Sequence, residues 1–184
     1  MLWGNVVNYT KHKTFISYYH RDDQYYKNEF EKLFGHLFIN KSVLDGEINT
    51  DLSTNYIKRL IQTGYITDTS VLIVLIGPNT HCRKHVDWEI SAALNKKIGG
   101  YSGLIGILLP EFPLTQEGKY FYKDIPPRLA DNVKSGYATI YTWDWICASE
   151  TRIQQAVDEA FENRKSKSNK INNSFKQFQR NRCE

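Results

Sequence analysis

At 184 residues the chain is long enough for one domain whose core can fold unaided. Hydrophobic residues make up 41% and charged residues 24%, an ordinary globular balance, and no apolar run approaches the ~20 residues of a membrane span. The formal charge of +4 sits at one end, because residues 164–184 hold seven Lys or Arg against Glu184 and leave the body slightly acidic.

That segment is rich in Asn, Ser, Gln and Lys, so it reads as a basic polar tail, disordered or loosely attached, rather than as a nucleic-acid surface. Cys82, Cys147 and Cys183 are scattered and odd in number, which implies no disulfide framework. The opening stretch, residues 1–12, is a short N-terminal extension without the apolar core of a secretory signal, and the expected location is the cytoplasm.

In chain order, Thr14–Tyr18 is a short β-prone run that breaks into the polar stretch from His20 to Gln24. Asp22 or Asp23 offers an N-cap, and Tyr26, Phe30, Leu33, Phe34 and Leu37 recur at helical spacing, predicting a helix over 23–38. Val43–Leu44 predicts a very short strand stopped at Asp45-Gly46, and Leu52, Tyr56, Ile57, Leu60 and Ile61 predict a second helix. Ser70–Ile76 is an unbroken, mostly β-branched run halted by Gly77-Pro78, as in a strand buried on both faces. A helix over about 83–97 follows, then a second buried strand over Gly103–Leu109, stopped by Pro110. Residues 110–135 read as a long loop with one helical turn near Arg128-Leu129. Ala138–Tyr141 is the last strand, and Ile153, Ala156, Val157, Ala160 and Phe161 mark a helix over 149–163.

Strand and helix alternate about five times around two apolar central strands. The fold class is therefore α/β, a parallel sheet of about five strands with helices on both faces, spanning 13–163. Ligands of such sheets bind outside the carboxyl ends of the strands. The site should then draw on Ser17–Asp23, Asp45–Asp51, Gly77–Arg83 and Pro110–Arg128.

On the helix from Arg83 to Leu94, Val86, Ile90, Ala93 and Leu94 share the buried face, and Glu89 flanks it beside the small Ala92 and Ala93. A carboxylate held there is costly unless it binds something. The plain alternative is a surface Glu paired with Arg83 or Lys84. Ser17 brings a hydroxyl to the exit of the first strand, and Tyr18 and Tyr19 could sandwich a planar ring, although alternation sends one of them into the core. Asp45 could meet ribose hydroxyls or simply serve its turn with Gly46. Asn79 and Thr80 are candidates from their place after the central strand.

Other chemistries lack their parts. No Gly-rich phosphate loop follows the first strand. His81, Cys82 and His85 lack a third strong ligand, so no metal is expected. Ser17 has no placed His and Asp to make a triad. A phosphorelay receiver needs an Asp ending its third strand, where this chain has Ile76-Gly77-Pro78.

Lys13-Thr14-Phe15-Ile16-Ser17-Tyr18, the strand Ser70–Pro78 and the helix Trp88-Glu89-Ile90-Ser91-Ala92-Ala93-Leu94 together resemble TIR domains. The form of the opening box, with Tyr-Thr-Trp-Asp-Trp late in the chain, is similar to bacterial TIR-like proteins, among them the TIR-like component of the Thoeris antiphage defence system. The resemblance implies a flavodoxin-like sheet and cleavage of the nicotinamide–ribose bond of NAD⁺, with Glu89 catalytic. Ser17, Tyr18 and Tyr19 would shape the nicotinamide side, and Asp45 the ribose. It further implies NAD⁺ as substrate with no cofactor, self-association on activation, and a signal, hydrolysed or cyclic, read by a downstream effector. A non-catalytic TIR-like interaction module is the competing expectation. Two departures stand out: Trp88 adjoins the Glu where many TIR enzymes carry a Trp one turn earlier, and the loop after Asp45 lacks the usual Pro-bearing sequence.

Overall fold

The two apolar runs of the sequence become the centre of the sheet. The computed structural model describes residues 10–42 and 64–183. In it, β3 (Val71–Ile76) and β4 (Gly103–Leu108) pair in parallel, and every residue of both is buried. β1 (Lys13–Ser17) lies on the other side of β3, with β2 (Ile39–Asn40) beyond it, and β5 (Thr139–Thr142) flanks β4. All pairs are parallel and the order is β2-β1-β3-β4-β5, the doubly wound order of a flavodoxin-like fold.

Alternation along β3 divides the core into two layers. Leu72, Val74 and Ile76 face one side, with α2 (Lys84–Ala93) and α4 (Pro127–Lys134), while Val71, Ile73 and Leu75 face α1 (His20–Phe34), α5 (Trp143–Ile146) and α6 (Glu150–Ser166). This two-sided burial is why β3 reads as a continuous apolar run. At β4 the packing leaves no room for a side chain, since a Cβ on Gly103 would fall 2.1 Å from the carbonyl oxygen of Ala160 in α6.

Several boundaries differ from expectation. α1 begins at His20, with Tyr19 at the N-cap and no side-chain cap, so Asp22 and Asp23 lie in its first turn, where the helix dipole favours acids. β2 precedes the expected Val43–Leu44 strand, which, like the helix expected around Leu52–Ile61 and like Asp45, lies outside the described residues. The helix expected over 83–97 ends at Ala93, because the Asn95 side chain accepts from the Lys97 amide and starts the separate α3 (Lys96–Gly99). The turn near Arg128 is a full helix, with Pro127 favourably placed in its first turn and Leu129 and Ala130 buried.

The largest difference is the tail. α6 runs on to Ser166, and the segment after it packs against the domain rather than hanging from it, with Phe178 only 1% exposed. Cys183, far from being an unpaired odd cysteine, is disulfide-bonded to Cys82. The polar composition misled because the Asn side chains here serve as hydrogen-bond partners for helix ends, while Phe175 and Phe178 anchor the segment. Among the described residues, no helix is long and apolar enough to cross a membrane.

Gly103→Ala should lower the stability read from urea unfolding by about 3 kcal/mol, since helix and strand backbones must separate to admit a methyl group. A midpoint equal to the wild type would contradict this packing.

Candidate active site

The crevice lies where the strand order reverses, between the carboxyl ends of β1 and β3. Ser17 ends β1 in register with Val74, and the chain leaving β3 turns back through Gly77–Arg83 into α2. Val86 and Ile90 of α2 are fully buried, and this face carries Glu89 inward with it. Glu89 is 2% exposed, and its Oε2 accepts a 2.5 Å hydrogen bond from the Ser17 hydroxyl, itself 1% exposed. That burial removes the surface-Glu alternative. Arg83 instead lays its guanidinium 3.9 Å from the centre of the Tyr19 ring and donates from Nε to the Asn79 carbonyl. Lys84 lies over Trp88.

The adjacent tyrosines take the two roles that alternation required. Tyr18 is in the core at 3% exposure, with its hydroxyl donating to Gln24, whereas Tyr19 is half-buried beneath Arg83. His85, one turn before Glu89, donates from Nε2 to the Tyr18 carbonyl at 3.2 Å, and its ring lies 6.0 Å from that of His20. Imidazole, phenol and guanidinium groups therefore gather around His85, one turn before Glu89 on the helix.

The β3 exit is locked to the first turn of α1. The Thr80 hydroxyl accepts from the Gly77 amide and donates to Asp23 Oδ2, both at 2.9 Å, and all three residues are buried. Glycine is required at 77, because a Cβ there would lie 2.2 Å from Asp23 Oδ1. Thr80 thus braces the loop, while exposed Asn79 donates to Asp22. Burial pushes the Asp23 carboxyl up to about 6; the Thr80 hydrogen bond opposes this and the charge of Asp22 reinforces it.

Of the expected segments, Ser17–Asp23 and Gly77–Arg83 meet, and Asp45–Asp51 lies outside the described residues. From 110–128, Glu111 accepts a hydrogen bond from Tyr26, but Arg128 turns away to Asp87. The buried Arg128–Asp87 pair, with Nε to Oδ1 at 3.0 Å, escaped the sequence reading, because nothing in the spacing of Asp87 links it to a residue about forty positions later. Trp88 donates to the Phe178 carbonyl on the outer side of α2, away from Glu89. The trio His81, Cys82 and His85 does not assemble. His85 faces Tyr18, and Cys183 joins His81 and Cys82, so that with both sulfurs reduced one imidazole and two thiols would form a three-donor set.

Residues 15–112 match the family described as Thoeris protein ThsB, TIR-like domain, over more than half of the chain. The chain belongs to that family. No curated protein matches it. As a Thoeris TIR-like protein it is defence-related. The matched span holds Ser17, Tyr18, Tyr19, Asp45, Asn79, Thr80 and Glu89, and stops before α4 and the packed C-terminal segment.

The Asp23 carboxyl stands above the ordinary value of 3.8 when folded, so its contribution to stability is complete in acid and is lost as pH rises from about 4 through about 6. Asp23→Asn cannot ionise and should gain in urea midpoint relative to the wild type between about pH 4 and about pH 7. A difference between the two proteins that stays flat across that range would show that Asp23 is not held in its neutral form.

Proposed function

We propose that the chain cleaves the nicotinamide–ribose bond of NAD⁺ and makes an ADP-ribose-derived signal. The observation that carries this reading is the Glu89 carboxyl group, out of water and held by Ser17 at the sheet's switch point. Nicotinamide in NAD⁺ is a pyridinium and leaves neutral, so no acid is needed to protonate it, unlike the leaving group of an ordinary glycoside. What must be stabilised is the oxocarbenium-like ribose, and a single fixed carboxylate suffices for that. Glu89 faces the developing charge and the ribose hydroxyls. Ser17 holds one carboxylate oxygen in place, leaving the group oriented before substrate arrives.

Tyr19 and the Arg83 guanidinium above it offer a planar wall for the nicotinamide side, with Tyr18 supporting that wall from the core. Exposed Asn79 lines the approach, held in place by the loop that buried Thr80 braces rather than by Thr80 meeting substrate itself, and Asp45 is assigned to the ribose. After cleavage, capture of the cation by a nucleophile within ADP-ribose gives a cyclic product, and capture by water gives ADP-ribose. Membership of a Thoeris family favours the cyclic signal, read by a separate effector, with self-association accompanying activation.

Mass spectrometry of concentrated protein incubated with NAD⁺ tests the reading. The wild type should release nicotinamide, and Glu89→Gln should release it at least about 10²-fold more slowly. Ser17→Ala, which frees the carboxylate without removing it, should lower kcat by about 10-fold with little change in KM. The two possible products differ by one water, so the co-product's mass assigns the capture step. No nicotinamide at any concentration would refute the enzyme and favour an interaction module.

A further inference from the structure

α2 is held on both sides. The sheet fixes the side that carries Glu89, and the C-terminal segment fixes the other, running back along the helix from its last turn to its first. Near the C-terminal end, Asn173 Nδ2 donates to the carbonyls of Ser91 and Leu94 at 3.0 and 3.2 Å, carbonyls that a helix end leaves short of partners. In the middle, the Phe178 amide donates to Asp87 Oδ2 at 3.0 Å, and Trp88 Nε1 returns a bond to the Phe178 carbonyl at 2.8 Å. The buried Arg128 joins the two layers, bonding Asp87 as well as the carbonyls of Asn173 and Phe175.

At the start of α2 the helix borrows its cap. Arg83, the N-cap residue, makes no side-chain cap bond, and the Lys84 amide donates instead to Asn181 Oδ1 at 3.1 Å, about a hundred residues away in sequence. One residue on, the Arg182 amide donates to the Cys82 carbonyl, and Cys183 is bonded to Cys82. The disulfide is thus the last fastening of a segment whose final contacts fall on the first residue of α2 and on Cys82, just before the N-cap of that helix.

We propose that residues 172–183 are a positioning strap for α2, with Asn181 as its cap-supplying residue and the Cys82–Cys183 bond as its reversible fastener. The chemistry is thiol–disulfide exchange with a small dithiol. Cys183 is exposed and Cys82 buried, so a thiolate of the reductant attacks Cys183 Sγ and Cys82 leaves. The reductant's second thiol then displaces Cys183, and the dithiol departs as a cyclic disulfide. Two electrons and two protons pass to the protein, leaving two thiols. The released Cys82 sulfur has the Asn79 carbonyl 3.1 Å away as an acceptor, and His81 Nε2 lies 3.6 Å from Cys183 Sγ. The same Asn79 carbonyl receives Arg83 Nε, whose guanidinium covers Tyr19, so the fastener touches the wall of the candidate site as well as the helix start.

That the strap sets turnover rests on the NAD⁺ reading; that it holds α2 does not. Hydrogen exchange by mass spectrometry on the full chain, first oxidised, then reduced with dithiothreitol, then reoxidised, separates the two. Reduction should speed exchange at least about tenfold in 84–87 and 178–183, leave β3 and β4 unchanged, and reverse on reoxidation. Asn181→Ala should speed exchange in 84–87 alone, with the disulfide intact. Nicotinamide release should fall at least about fivefold in kcat on reduction, with KM nearly constant, as expected when positioning rather than binding is lost. Exchange that ignores the redox state would overturn the strap. Faster exchange with unchanged turnover would overturn its hold on Glu89. An absence of nicotinamide from the protein in every state would refute the NAD⁺ reading instead, leaving exchange to decide the strap.

Discussion

The structure depends on how one helix is seated. α2 must bury Val86 and Ile90 against the sheet, and doing so takes Glu89 out of water at the open end of the same sheet. A carboxyl group placed there without a partner would cost several kcal/mol, and the Ser17 hydroxyl is one partner it has. Ser17 can fill that role because β1 ends in register with the middle of β3, so its side chain emerges where α2 passes. Hydrophobic burial places the helix, and a polar contact between neighbouring elements then fixes the group that the fold could not otherwise leave in its interior.

The loop that delivers the chain from β3 to α2 is constrained just as closely. Gly77 lets Asp23 approach to a distance that no side chain would permit, and Thr80 bridges the two. Burial raises the Asp23 carboxyl to about 6, and the Thr80 hydroxyl donates to it across the junction. Loop 77–83 is therefore braced from the first turn of α1, and Asn79 and Arg83 inherit their places from that brace.

Much of this was legible in the sequence where the signal is periodic. The run from Val71 to Ile76 and the spacing of Val86, Ile90 and Leu94 announce two-sided burial and a buried helix face, and together they put Glu89 at the sheet's carboxyl end. What stayed hidden are pairings between polar residues far apart in the chain: Ser17 with Glu89, Asp23 with Thr80, Arg128 with Asp87, Asn181 with Lys84. Periodicity says which way a residue faces, not which distant residue it will meet. The tail was misread for the same reason, since a segment rich in Asn and Lys has the composition of a disordered chain until a helix end needs its amides.

The Arg128–Asp87 pair shows what the part of the chain beyond the family match contributes. Both side chains are almost fully buried, and burying such a pair returns little net stability, because the desolvation of two charges nearly offsets their attraction. What it imposes is geometry. Arg128 comes from α4, Asp87 from α2, and the same guanidinium and carboxylate bond the strap at Asn173, Phe175 and Phe178. None of the three elements can rotate or slide without stranding a buried charge, which costs far more than the intact pair returns. The shared TIR-like core supplies the carboxyl group and its hydroxyl partner. The segments after it supply a charged pin through the outer side of the helix, at a residue two positions from Glu89.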